Sequence, residues 1–414
     1  MHFKKFCLLI IVVLLTVSFA PAGLAAAPEI SSKSAVLMDA TTGEVLYEKD
    51  AHEKLFPASI TKIMTLLLTV EKAKLDDVIT VTDDIYQALP GDAMIAGFSP
   101  GETITVKDAF MAAYLQSAND AALLLAEHVA GSAKDFVALM NQKAQQLGAT
   151  DTLFANPTGL PDETQKTTAY DMALIAAAAI KNETFLQLSG TTSYTIPKNE
   201  VREDAISLSA SSGLLDSESS YYMEDCFFSK TGFTNASNAT LVAAAKRDDS
   251  TLIGVALDNP GRNAQYADMK AILEHGFSDF YRLTITKEEL QSSFVGQNKN
   301  DTIEVKRDVS ITVPATVKRE SITQRIEVKD GAAYVVLAGG GVDYSEKIAD
   351  VKTASSSGGF LGGVKAVFRF VLKAILVVIV AFLVLYVLLA IYVNMRHRKR
   401  LAEKKRRLDR MKNL

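Results

Sequence analysis

Apolar residues change period several times along the chain, and each change marks a different kind of element. Lys4 and Lys5 precede a predominantly apolar run over 6–19, and small residues follow in Pro21-Ala22-Gly23-Leu24-Ala25-Ala26-Ala27. That order predicts a secretory signal peptide over 1–25, cut after Ala25 or Ala27. Two apolar-rich runs, 34–39 and 45–48, flank a turn containing Gly43 and predict a β-hairpin. A longer run over 63–70 has helical length, and 106–115 predicts a second helix that ends just before Ser117. Another helix is expected to start near Asp120. The alanine-rich stretch 171–180 reads as a helix capped by Thr167 or Thr168.

Between 188 and 225 the chain turns polar and serine-rich, which predicts loops and short strands. The runs 230–234, 239–246 and 252–257 read as strands of one sheet, with turns at 235–238 and 247–250. A closing helix is predicted over 266–276, ended by Gly276. After 283 the pattern shifts to short β-branched runs, 302–305, 309–313, 326–328 and 334–337, which predict a small β-domain over 283–351. A serine- and glycine-rich linker follows over 352–363. Residues 374–393 carry no charge, and twenty residues at ~1.5 Å each match the ~30 Å core of a bilayer, so a transmembrane helix is expected there. Lys365, Arg369 and Lys373 recur every four residues just before it, predicting a basic juxtamembrane helix over 364–373.

Charge sharpens this layout. The whole chain of 414 residues has a formal net charge of −4, yet 394–414 holds ten basic against two acidic residues, so the body ahead of it is acidic. An acidic body excludes non-specific nucleic-acid binding, which needs a basic surface. The basic tail over 394–414 is expected in the cytoplasm, with the body on the extracytoplasmic face of the cell membrane. Of the two cysteines, Cys7 lies in the signal segment and Cys226 stands alone, so no intrachain disulfide is expected in the mature protein. Nothing near Cys226 suggests a Cys-His pairing, and His52, His128 and His275 read as surface or packing residues.

Candidate chemistry begins at Pro57-Ala58-Ser59-Ile60-Thr61-Lys62. On a helix, Ser59 and Lys62 stand one turn apart on one face, close enough to exchange a proton. An ordinary lysine is neutral in only about one molecule in 2,500 at pH 7, and holding it neutral costs ~4.6 kcal/mol. Burial and a second cation nearby both favour the neutral amine. Alone, Ser-x-x-Lys also fits an N-cap serine and a solvated lysine. Downstream stand Ser117-Ala118-Asn119 and Lys230-Thr231-Gly232, and the three words in this order are those of class A β-lactamases and penicillin-binding proteins.

With the flanking words Ser-Ala-Asn-Asp-Ala-Ala and Lys-Thr-Gly-Phe-Thr, the chain strongly resembles the D-alanyl-D-alanine carboxypeptidases, the low-molecular-mass penicillin-binding proteins. The likeness runs from about Ser31 to Phe280 and more loosely beyond. It implies an α/β (α+β) β-lactamase/penicillin-binding-protein-like transpeptidase domain over 28–282, with an antiparallel sheet, flanking helices and an all-helical part. It implies a serine hydrolase that removes the terminal D-alanine from peptidoglycan stem peptides through an acyl-enzyme. β-Lactams would be covalent inhibitors, with no cofactor and no metal. By that likeness Ser59 is the nucleophile, Lys62 its base and Ser117 a proton relay. Asn119, Lys230, Thr231 and Gly232 line the substrate, and the oxyanion lies between the N–H groups of Ser59 and Phe233.

Three departures stand out. Asp225-Cys226-Phe227-Phe228-Ser229 replaces the usual glycine-bearing approach to Lys-Thr-Gly. Many relatives place an arginine directly before the aromatic at the closing helix, whereas Gln265 precedes Tyr266 here, and Arg262 is either its substitute or a solvated turn residue. Asn156-Pro157-Thr158-Gly159 and Thr167-Thr168 resemble words behind the cleft and read as structural. A class A β-lactamase would need a Glu-x-x-Leu-Asn word that is missing between Asn119 and Lys230. A Ser-His-Asp hydrolase lacks its Gly-x-Ser-x-Gly elbow. β-Lactamase-like or endopeptidase activity on the same scaffold, and a non-catalytic wall-binding module, remain as alternatives.

Overall fold

The computed structural model describes residues 27–297 and 301–353. The expected signal peptide, most of the linker, the juxtamembrane and transmembrane helices and the basic tail lie outside the described residues. Among the described residues no helix is long and apolar enough to cross a membrane.

One antiparallel sheet of five strands carries the architecture. β1 (Ser34–Asp39) and β2 (Val45–Lys49) form the hairpin that alternation predicts around Gly43. β3 (Cys226–Thr234), β4 (Asn238–Arg247) and β5 (Ser250–Asn259) follow far downstream, and the order is β2-β1-β5-β4-β3. The Lys-Thr-Gly strand is therefore an edge. Period-two alternation gives the sheet two apolar faces: Val242 and Ala244 of β4 join one cluster, and Leu241, Ala243 and Ala245 join the other.

Helices cover both faces. On the larger side lie α1 (Lys62–Lys72), α2 (Val106–Leu115), α3 (Asn119–Ala130), α4 (Ala133–Gln146), α5 (Ala169–Lys181) and α6 (Glu183–Ser189). Every α1 residue from Lys62 to Thr69 is buried, as expected of a helix with little polar face. α2 starts with a capping box between Thr105 and Asp108, and the Thr168 hydroxyl caps α5 by accepting from Asp171 N. On the other side α7 (Ala264–Asp279) packs Met269, Ile272 and Leu273 on the sheet. Gly276 does not end this helix, contrary to the sequence reading. A Cβ there would come within 2.5 Å of Leu252 and 2.6 Å of Leu37, so this glycine lets helix and sheet touch.

The polar stretch after α6 contains a short hairpin, Ser193–Ile196 with Ile206–Ser209. Beyond α7, β6 (Phe280–Ile285) pairs with β7 (Val309–Pro314), and β8 (Thr323–Lys329), β9 (Ala332–Gly339) and β10 (Val342–Asp350) form a separate sheet. Leu283, Ile285, Val309, Ile311, Val313, Val335 and Leu337 fill their common core. Nη2 of Arg282 donates to both carboxylate oxygens of buried Asp39, at 2.8 and 2.7 Å, and Thr312 N donates to Glu44 at 2.7 Å. Described residues 295–297, 301–303 and 350–353 belong to a second unit, in which Asp301–Thr302 pairs with Lys352–Thr353.

Candidate active site

Ser59 sits on a single 3-10 turn, Ala58–Thr61, and Lys62 is the first residue of α1. The turn runs directly into α1, so helical backbone carries both residues, and Ala58 ahead of Ser59 takes the left-handed φ of 50°. Lys62 Nζ lies 3.2 Å from Ser59 Oγ. It also donates to Asn119 Oδ1 at 2.8 Å and to the Thr158 carbonyl at 2.6 Å.

These three oxygens match the three donors of an ammonium, but the neutral form fits equally well. It keeps two donors on the fixed acceptors Asn119 Oδ1 and Thr158 O, and turns its lone pair toward the Ser59 hydroxyl. Complete burial pushes the Lys62 amine well below its usual range, and the charge of Lys230 pushes it further, while Asp120 works weakly in the opposite direction. A hydroxyl beside a neutral buried amine is an activated nucleophile.

Ser117 arrives from the loop after α2 and also has a left-handed φ, 59°. That strained backbone aims its hydroxyl at Lys230, whose Nζ donates to Ser117 Oγ at 3.0 Å and to the Thr231 carbonyl at 3.2 Å. Lys230 is 1% exposed on β3, and burial lowers its pKa to about 7. The site thus holds two hydrogen-bonded groups, Lys62 with Ser59 and Asn119 and Lys230 with Ser117, coupled by the charge of Lys230 on Lys62.

Two glycines bring backbone against the Ser59 turn. A Cβ on Gly232 would lie 2.8 Å from Ser59 N and 2.4 Å from Thr240 Oγ1. On Gly159, whose φ is +85°, it would lie 2.0 Å from the Ala58 carbonyl oxygen. Thr240 Oγ1 in turn donates to the Pro57 carbonyl at 2.9 Å, tying the turn to β4. Phe233 is 40% exposed, and the Arg262 guanidinium stacks on its ring with 3.8 Å between the guanidinium carbon and the ring centre. Thr231 Oγ1 lies 3.4 Å from the Ser211 hydroxyl. Arg262 is exposed and rests on Phe233 of the Lys-Thr-Gly strand. Gln265 is buried instead, which keeps its side chain from the cleft surface.

Sequence reasoning read 156–159 as structural and missed its contact with Lys62. Asn156 Oδ1 accepts from Thr158 N at 3.2 Å, Thr158 Oγ1 at 2.8 Å and Gly159 N at 2.8 Å. Thr65 Oγ1 donates to the Pro157 carbonyl at 2.6 Å. The turn so held presents the Thr158 carbonyl to Lys62. The Asn-Pro-Thr-Gly word was visible as a turn, but the working atom is a backbone oxygen, which no residue type announces. Cys226 is buried, with its thiol pushed up to about 12 by desolvation, so it is no nucleophile. His52 packs on Tyr170, and His275 pairs with Asp279 at 2.6 Å, both away from this cluster.

The D-alanyl-D-alanine carboxypeptidase family profile matches residues 22–261. D-alanyl-D-alanine carboxypeptidase DacF of Bacillus subtilis is 31% identical over 317 residues, 74% of this chain and 79% of the relative. DacC of Escherichia coli, under the same enzyme name, is 34% identical over 299 residues, 67% of this chain and 70% of the relative. Among solved structures, penicillin binding protein 5 of Haemophilus influenzae aligns over 80% of this chain and all of its own, with a TM-score of 0.67 and 25% identity. A D-alanyl-D-alanine carboxypeptidase of Mycobacterium tuberculosis aligns over 63% of this chain and 96% of its own, with a TM-score of 0.57 and 27% identity. On the length of the profile match and these likenesses, the chain belongs to the D-alanyl-D-alanine carboxypeptidase family.

Proposed function

We propose that the chain is a serine-type D-Ala-D-Ala carboxypeptidase that trims peptidoglycan stem peptides and is acylated by β-lactams. The observation that carries the mechanism is the buried Lys62 amine, 3.2 Å from Ser59 Oγ and, among the described residues, with no carboxylate bonded to it. Ser59 Oγ attacks the carbonyl carbon of the penultimate D-alanine, and its proton passes to Lys62. The C–N bond then breaks, and the departing amine of the terminal D-alanine takes a proton relayed through Ser117, which can donate and accept at once. Water attacks the resulting ester, gives up a proton by the reverse route and frees Ser59. Backbone N–H groups of Ser59 and Phe233 receive the oxyanion. Lys230, Thr231 and Arg262 receive the terminal carboxylate, and Asn119 orients the peptide. With a β-lactam the same attack opens the ring, so the leaving nitrogen stays attached.

The same reading sets the body outside the cell, anchored through 374–393 with the tail inside. It is supported by the apolar run at 6–19, the uncharged run at 374–393 and the basic residues after it. Protease added to wall-stripped cells is expected to release a soluble body and leave a C-terminal membrane fragment. Digestion of a tag on the tail would reverse the topology.

The enzymatic test is Ser59→Ala. The wild-type ectodomain is expected to gain the mass of one penicillin and to release D-alanine from a pentapeptide ending in D-Ala-D-Ala, and the variant to do neither. An adduct on the variant would remove Ser59 from its role, and a wild-type protein that forms none would leave a wall-binding module.

A further inference from the structure

The two ends of the Asn119 amide face different partners. Its Oδ1 accepts from Lys62 at 2.8 Å, while its Nδ2 donates to the Met94 carbonyl at 2.9 Å. The backbone N–H of Asn119 reaches the same carbonyl at 2.8 Å. Turning the amide over would set NH2 against the Lys62 amine and oxygen against the Met94 oxygen, exchanging two matched contacts for two mismatched ones. The Met94 carbonyl therefore fixes the amide in one sense, with its second Nδ2 hydrogen left available.

That carbonyl belongs to a segment whose first two side chains are exposed, although Ala96 packs on the core and Phe98 just beyond is buried in it. Met94 is 61% and Ile95 40% exposed, so neither side chain packs the strap down. Asp120 supplies a hold on the backbone. Its side chain is fully buried at the start of α3, where Oδ1 accepts from Ala96 N at 2.9 Å and from Ala121 N of its own helix at 2.8 Å. Oδ2 accepts from Ala96 N and Gly97 N, each at 3.1 Å. A carboxylate suits this place because it offers only acceptors to a group of N–H donors, whereas an amide would bring donors of its own against them.

We propose that Asp120 is a positioning residue for acyl transfer, which through the 94–97 strap sets the Met94 carbonyl and through that carbonyl the Asn119 amide beside Lys62. The inference rests on the substrate-orienting role given to Asn119 above. Asp120 is given no contact with substrate; besides the weak pull of its charge on Lys62, its effect on the reaction passes through its neighbour Asn119, and only that part vanishes when the Asn119 amide is removed. A purely structural carboxylate would lower stability, and with it activity, whatever stood at position 119.

A double-mutant cycle separates the two, with the rate of acylation of the ectodomain by fluorescent penicillin as readout. Asp120→Asn is expected to slow acylation about ten- to a hundredfold, the scale of a misplaced positioning group. In an Asn119→Ala background the same change is expected to cost less than about twofold. Equal factors in the two backgrounds, or an Asp120→Asn variant as fast as wild type, would overturn the proposal. If Asn119→Ala alone acylates at the wild-type rate, the role of Asn119 fails, and the inference with it, by a result distinct from the first two. Should Asp120→Asn not fold, Ala96→Pro removes the strap's N–H while leaving the buried carboxylate in place. It is expected to repeat the pattern, and equal factors with that variant overturn the proposal in the same way.

Discussion

The cleft has a helical wall and a sheet wall, and each holds one buried lysine. Lys62, on the helical wall, meets three neutral oxygens, and Lys230, on the sheet wall, meets two. Among the described residues neither has a carboxylate as hydrogen-bond partner, and both lose affinity for protons through burial. They differ in what lies next to them. Lys62 sits between Lys230 and a serine, and the second cation drives it further toward the neutral amine. Lys230 stays within reach of its charge near neutral pH, beside an edge strand that an incoming carboxylate can line. One residue type thus becomes a base on one wall and a cation on the other, by surroundings alone.

The sharpest way to break this contrast is Lys62→Arg. Arginine keeps its proton at all working pH values, so acylation is expected to fall by about 10²- to 10⁴-fold. A penicillin and its neutral ester should suffer alike, since the loss is of the base. Stopped-flow acylation measures this, and a variant that keeps more than a trace of the rate would remove Lys62 from that role. Arg262→Gln probes the sheet wall and should act on the carboxylate alone. Losing one charge-assisted contact of ~1.5 to 3 kcal/mol predicts D-alanine release slowed about ten- to a hundredfold, with little change in acylation by the neutral ester. If both substrates respond equally, Arg262 has no part in carboxylate recognition.

The third test reads stability. An unfolded Lys230 holds its proton up to its ordinary value of 10.5, whereas the folded one releases it near about 7. Between those values the unfolded chain binds more protons, so stability rises with pH across that window, and below it the penalty of burying the charge is present in full. Lys62, lowered by burial and by the charge of Lys230, acts in the same sense. Urea midpoints taken at the two ends of the window should therefore differ less in Lys230→Met than in wild type. An unchanged pH slope would mean that Lys230 titrates as a solvated lysine.

Much of the scaffold was legible because its signals are local. The hairpin around Gly43, the helix ending before Ser117 and the Thr168 cap each follow from a few adjacent residues. Elements fixed by distant partners were not. Gly276 resembles a helix end in sequence, but contact with Leu37 and Leu252 decides its place. Thr158 serves Lys62 through a carbonyl from 96 positions away, so neither its side chain nor its spacing could signal the contact. The ordered words around Ser59, Ser117 and Lys230 marked candidate residues, while the close approach of Gly159 and Gly232 to the turn that carries Ser59 is a contact between distant segments, which spacing cannot show. Of the run 302–305 only its first residue pairs as a strand, because that alternation had no neighbouring strand to complete it.

Ala58 and Ser117 both occupy left-handed backbone next to the reacting atoms, a conformation that costs a side-chain-bearing residue roughly 1 to 2 kcal/mol. Glycine would relax each, although the looser unfolded chain would return part of the gain, about 0.4 to 1 kcal/mol. Position 117 cannot take that exchange without giving up its hydroxyl, so the fold and the reaction ask for different residues there. Stability and turnover are opposed at one atom of this chain, and a search for thermostable variants would meet that opposition first at the loop between α2 and α3.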